Sequence, residues 1–207
     1  LNSDDQTPWE LIGKNKIGEE APIEVQFRYV NYKGKKLRAV ALRDISERKK
    51  AEQELRKLYT AIEQSSSNIV ITNKKGTIEY VNPSFTETTG YTPEEAIGQN
   101  PRILKTDLHS NRYYGNLWRT ILSGKVWDGE FHNKKKNGET YWEKAIISPV
   151  FNEQKEITHF LAIKENITEH KVAEAALRKS EERHRMISEL ISDYEYRFEL
   201  NGSHDFE

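Results

Sequence analysis

The chain has 207 residues, a net charge of −1, 31% charged and 10% aromatic residues, and no cysteine. That length admits one or two domains, the charge balance gives nucleic acid no electrostatic hold, and the missing cysteine removes disulfides, thiolate metal sites and thiol nucleophiles together. No apolar run is long enough to span a bilayer and no signal-peptide pattern opens the chain, so a cytoplasmic segment without membrane contact or a nucleic-acid partner is expected. A start at Leu1 and a stop inside an apolar pattern read as a piece of a longer protein.

An internal repeat organises the elements. "DISERKKAEQELRKL" at 44–58 matches "NITEHKVAEAALRKS" at 166–180, 122 residues on. Weaker matches flank it: 18–25 with 138–145, and 61–76 with 187–202. The chain therefore divides into the tail of one unit (1–46), a helical linker (47–59), a complete unit (60–168), a second linker (169–186) and the start of a third unit (187–207).

Within the complete unit, two short β-rich runs at 68–73 and 77–81 flank Lys-Lys-Gly and predict a hairpin. Pro83 at a first helical position and Gly90 as a stop predict a short helix. Thr92, Pro93 and Gly98 repeat that grammar. Tyr113, Leu117, Ile121 and Leu122 have helical spacing, with Gly124 ending the helix. Two strands flank Lys-Asn-Gly at 136–138, and a last strand covers "ITHFLAIKENIT".

The linkers carry a narrow apolar stripe. Ala51, Leu55, Leu58 and Ile62 step by four, three and four, and Ala173, Leu177, Ser180, His184, Ile187 and Ile191 continue the theme. This spacing predicts coiled-coil seams and a parallel homodimer. The repeat offset rises from 122 to 126 across the second linker, a four-residue stutter beside Ser180 and His184.

The element order, with "GYTPEEAIG", "KKNGETYW", "ISPVFNE" and "ITHF" followed by "AIKENITE", resembles the PAS/PAC sensory domain family. The resemblance covers one whole domain and two partial ones. It implies an α+β fold: a five-stranded antiparallel sheet with short helices on one face, enclosing a ligand cavity. It implies a sensory or signal-relay role within a longer regulator, such as a two-component histidine kinase, whose output domain lies on the same polypeptide. The segment itself is expected to be non-catalytic. His184 lacks the surrounding run of a kinase phosphoacceptor, and no Gly-rich nucleotide loop follows.

The resemblance also supplies cofactor candidates. In light-sensing members a cysteine adds to the flavin; here that position is Pro101, which removes the photochemistry. Asn100 and Arg102 match residues that contact the cofactor's polar tail, and Asn133 matches one on the ring's polar edge. Glu143 and Lys164 stand where that subfamily has amides, and the glutamine expected near Lys105 is missing. Residues 117–143, with Trp127, Gly129 and Asn133, resemble flavin-binding domains of redox-regulated kinases and nitrogen-fixation regulators, which makes FAD the second reading. The competing reading is structural: Trp127 fills the core, Asn133 satisfies backbone and Glu143 pairs with Lys164. A small-molecule ligand other than flavin is a further candidate. Haem is disfavoured because no histidine ends the long helix, and metal because no histidine pair has ligand spacing.

Finally, Asp44 and Asn166 occupy equivalent strand–helix junctions, and the family usually has Asp there. The neutral Asn166 is expected to couple its strand to the next helix more weakly.

Overall fold

The computed structural model describes the backbone of residues 7–202 and the side chains of residues 7–190. The chain forms two units, divided between Ile62 and Glu63.

In the first unit, β1 (Trp9–Lys14), β2 (Glu20–Tyr32) and β3 (Lys35–Asp44) form an antiparallel meander in that order. Lys33 and Gly34, both at positive φ, make the tight β2–β3 turn. Helix α1 (Ser46–Glu63) follows, its start held by Arg48 and Lys49 pairing with Glu10. Ile45 is buried and its N–H bonds the Pro22 carbonyl at 3.0 Å, whereas every side chain of β3 is exposed. No residue of α1 is buried, and Leu55 and Leu58 of the expected seam lie open.

The second unit has the five-stranded antiparallel sheet that the resemblance implies. Strands β4 (Asn68–Asn73), β5 (Ile78–Val81), β6 (Trp127–Lys134), β7 (Thr140–Phe151) and β8 (Ile157–Asn166) lie in the order β5-β4-β8-β7-β6. Between β5 and β6 run α2 (Pro83–Thr89), α3 (Pro93–Ala96), a 3-10 turn (Pro101–Leu104) and α4 (Asn111–Leu122). The predicted signals work locally. Asn82 caps α2 by accepting from the Phe85 N–H, Pro83 opens the helix, and Gly90 closes it at φ 76°. On α4, Leu117 and Ile121 face the core as expected, but Leu122 is 57% exposed. Tyr113 joins that face as expected and Trp118 packs against it as well, whereas Leu122, about 140° round the helix from Leu117, lies beyond its edge. Helix α5 (Thr168–Gly202) leaves the last strand and runs across the segment expected to open a third unit. Among the described residues, no helix is long and apolar enough to cross a membrane.

Strand β6 is the sheet's edge, and side chains satisfy its free backbone groups. The Tyr113 hydroxyl accepts from the Glu130 N–H at 3.1 Å and donates to the Glu130 carbonyl at 2.7 Å. The His132 N–H donates to His109 Nε2 at 3.0 Å, and Thr106 donates to the His132 carbonyl. These contacts blunt an edge that would otherwise offer itself to another strand.

Gly129 makes this closure possible. A Cβ there would lie 2.4 Å from the Trp127 ring and 2.7 Å from the Tyr113 hydroxyl. Gly129→Ala is therefore expected to destabilise the second unit by about 1–3 kcal/mol, the usual cost of overpacking, read in a denaturant titration. Unchanged stability would show that the Trp-x-Gly pattern has no steric basis.

His109 must be neutral to accept from His132. Burial, then the neighbouring His132, hold its pKa below the ordinary histidine value. The rings of Tyr113, Tyr114, Phe131 and Trp142 pack around it. A lowered folded-state pKa means that the unfolded chain binds the proton more readily, so stability falls as pH drops below about 6.5. The melting temperature should decline from pH 7 to pH 5 more steeply in the wild type than in His109→Gln, whose amide oxygen accepts without titrating; parallel profiles would contradict this.

Candidate functional site

Alternation along the central strands sets the site. Val70 and Thr72 of β4, Ile147 of β7 and Phe160, Ala162 and Lys164 of β8 face the helices, and with Leu117, Trp118 and Ile121 of α4 they enclose a cavity of about 340 Å3. This volume lies at the small end of the range for ligand sites. Its two ends differ. At one, Gly76, Asn100 and Arg102 line the wall; Asn100 donates to the Gly76 carbonyl at 2.8 Å and accepts from the Arg102 side chain at 3.1 Å. At the other lie Asn133 and Lys164.

Behind that second end sits Glu143, 0% exposed. Its carboxylate accepts three hydrogen bonds: from Asn68 Nδ2 at 3.2 Å, Asn133 Nδ2 at 2.8 Å and Lys164 Nζ at 2.9 Å. Asn68 in turn accepts from the hydroxyls of Ser84 at 3.0 Å and Thr88 at 2.9 Å. One network thus joins β4, β6, β7, β8 and α2. A buried carboxylate demands such compensation, because removing one partner of a buried pair typically costs about 3–5 kcal/mol. Burial, then the Glu143 charge, push the pKa of the buried Tyr141 hydroxyl far up, so this phenol stays protonated.

The residue next to Glu143 on β7 holds the outgoing helix. Trp142 points to the opposite face; its carbonyl accepts from the Ile167 N–H at 2.9 Å, and its N–H donates to the Thr168 hydroxyl at 2.9 Å. Lys171 of α5 bonds Glu130 of β6 at 2.8 Å and lies 5.5 Å from the centre of the Trp142 ring. The Trp142–Ile167 bond repeats the Pro22–Ile45 bond of the first unit.

The structure brings together four of the six residues singled out in the sequence: Asn100, Arg102, Asn133 and Lys164 line the cavity. Trp127 is buried in the core beside Tyr113 and Phe131, and Glu143 sits behind the lining. Asn133 does not serve backbone with its amide, as the structural reading expects, but donates to Glu143. Sequence reasoning missed Asn68 and Tyr114. Asn68 had a signal: it shares the inward period of Val70 and Thr72. Among the described residues, no three potential metal ligands come together.

A family model described as PAS domain matches residues 66–169, half of the chain. The chain belongs to the PAS domain family. It is 34% identical over 120 residues to the nitrogen fixation regulatory protein of Klebsiella oxytoca, covering 58% of this chain and 24% of that protein. It is 26% identical over 114 residues to the aerotaxis receptor of Escherichia coli, covering 55% of this chain and 22% of that one. The chain thus spans about a quarter of the length of these relatives. An RNA-binding light-oxygen-voltage receptor of known structure superposes with a TM-score of 0.55 at 13% identity, covering 87% of this chain and 84% of that one, a likeness of fold alone. The PAS domain here is a sensory module homologous to regulators and receptors.

At the end of this PAS domain, Asn166 Oδ1 accepts from the Thr168 N–H at 3.0 Å and from its hydroxyl at 2.6 Å. In the first unit Asp44 accepts from the Ser46 N–H at 2.8 Å, and its hydrogen bonds with Ser46 hold its pKa low. A carboxylate at a helix N-terminus also gains from the helix dipole. Asn166→Asp should raise the melting temperature by roughly 1–2 °C at neutral pH. An unchanged or lower value would contradict the charged-junction argument.

Proposed function

We propose that this chain is a sensing and relay module of a larger regulator: a cavity ligand biases the sheet, and α5 passes the change to an output domain on the same polypeptide. The observation that carries this reading is the shared strand β7, where Glu143 bonds the cavity-lining Lys164 while its neighbour Trp142 bonds the start of α5. A displacement of Lys164 then acts on the strand that seats the helix. No catalytic step is assigned to the segment.

The domain assignment belongs to the same proposal. Residues 1–46 are read as the C-terminal part of a preceding PAS domain, 47–59 and 169–186 as helical linkers, 60–168 as the complete domain and 187–207 as the start of another. The repeated strand-to-helix bond, Pro22 to Ile45 and Trp142 to Ile167, supports it. The exposed Leu55, Leu58, Leu177 and Ile187 support a homodimer through the linker helices.

A flavin is the second reading, supported by Asn100, Arg102 and Asn133 all lining the cavity. Visible absorption of the purified protein, with chromophore released on denaturation, would favour it.

Hydrogen exchange tests the relay. Replacing the buried pair together, Lys164→Met with Glu143→Gln, removes the network without leaving a lone charge. Amides of residues 166–172 should then exchange at least about threefold faster, with those of residues 9–44 in the first unit little changed. Unaltered exchange at 166–172 would contradict a relay through β7.

A further inference from the structure

The polar end of the cavity offers an unusual set of partners. Lys164 is 6% exposed, lines the cavity, and spends one N–H on Glu143 Oε2. An ammonium has three donors and no acceptor. Two N–H groups are therefore left facing apolar surroundings, including the Phe131 ring 5.6 Å from Nζ. The Tyr114 hydroxyl is buried without a hydrogen-bond partner, and Tyr114 also lines the cavity, stacked on the other participant Phe131 with ring centres 6.0 Å apart. Buried donors without acceptors cost free energy that a complementary ligand recovers.

The same geometry selects against an imide edge, the alternating carbonyl, N–H and carbonyl of a flavin ring. Reading such an edge needs side chains that donate and accept side by side. Here Asn133 spends one of its two amide N–H groups on Glu143, Glu143 is withdrawn behind the wall, and Lys164 only donates. A ligand N–H aimed at Lys164 would meet another donor. A ligand carboxylate on Lys164 itself is also disfavoured, because Glu143 already neutralises that ammonium; the second cation lining this end, Lys105, stands over the Tyr114 ring, 4.6 Å from its centre.

We propose, building on the reading of the cavity as a ligand site, that its ligand is a flat, apolar, uncharged molecule whose polar end consists of carbonyl acceptors, such as a quinone or an aromatic ketone, seated on Lys164 and Tyr114. The aliphatic and aromatic walls from Val70, Leu117, Ile121, Ile147 and Phe160 take the ring body. Carbonyl binding draws Lys164 toward the cavity and weakens its hold on Glu143, which connects this ligand class to β7.

The test uses the whole chain and calorimetric titration. The probes are a naphthoquinone methylated at both ring-alkene carbons, so that Lys164 cannot add to it, the matching dimethylnaphthalene, riboflavin and FMN. The quinone should bind roughly tenfold or more tightly than the hydrocarbon, and more tightly than either flavin. In the charge-neutral double variant Lys164→Met with Glu143→Gln, the quinone's advantage over the hydrocarbon should fall to about threefold or less. Tyr114→Phe, which leaves the buried pair intact, should lose part of it. Equal binding of quinone and hydrocarbon, or an advantage that survives both variants, overturns the proposal. Tighter binding of FMN or riboflavin overturns it while leaving the cavity a ligand site. Binding of none of the four overturns the ligand-site reading as well.

Discussion

A fully buried carboxylate has to be surrounded by donors, and Glu143 imposes that requirement on the whole domain. Its three bonds reach β4 through Asn68, β6 through Asn133 and β8 through Lys164, and Asn68 extends the network to α2 through Ser84 and Thr88. Strand register is thereby fixed twice, by the apolar alternation that fills the core and by a polar constellation that forms in only one alignment. A slip of one residue in any of these strands would turn Asn68, Asn133 or Lys164 to the opposite face and leave the charge bare.

The same constraint gives the cavity its two characters. Apolar residues of β4, β8 and α4 enclose its body, and the network closes one end with donors. The other end is closed by the β4–β5 turn, where Gly76 lies so close to Trp118 that a Cβ would come within 2.7 Å of its ring, and where Asn100 ties the 3-10 turn to the Gly76 carbonyl. The fold therefore has a closely packed hairpin end and an electrostatically balanced end. Only the balanced end adjoins the outgoing helix, through Trp142 and Thr168. A change of charge or hydrogen bonding there has a short mechanical route outward.

Much of this architecture was legible in the sequence because it rests on local chemistry. Pro83 with Gly90 bounded α2, the apolar spacing of Leu117 and Ile121 gave α4, and Lys-Asn-Gly marked the β6–β7 hairpin. The pairing of Glu143 with Lys164 was also readable, since opposite charges at inward strand positions have few other options. What escaped depends on contacts distant in sequence. The partner of Asn133 lies ten residues away across a hairpin, and that of Asn68 seventy-five residues away. His109 carries no local signal, because the edge-strand backbone that it accepts from, at His132, lies twenty-three residues away. Leu122 shares the helical spacing of the α4 stripe, but about 140° round the helix from Leu117 it falls outside the buried face. The linker stripes show what is apolar; what covers them is not written in the spacing.

The central claim is that the cavity's charged pair and the start of α5 are energetically coupled through β7. A double-mutant cycle measures this most directly. One perturbation is the charge-neutral replacement Lys164→Met with Glu143→Gln; the other is Thr168→Val, which removes the hydroxyl that Trp142 grips. Unfolding free energies of the two variants and their combination, from denaturant titration of the whole chain, should give a coupling above about 0.5 kcal/mol. Strict additivity would mean that the network and the helix junction are independent, and that the cavity has no route to α5 along this strand.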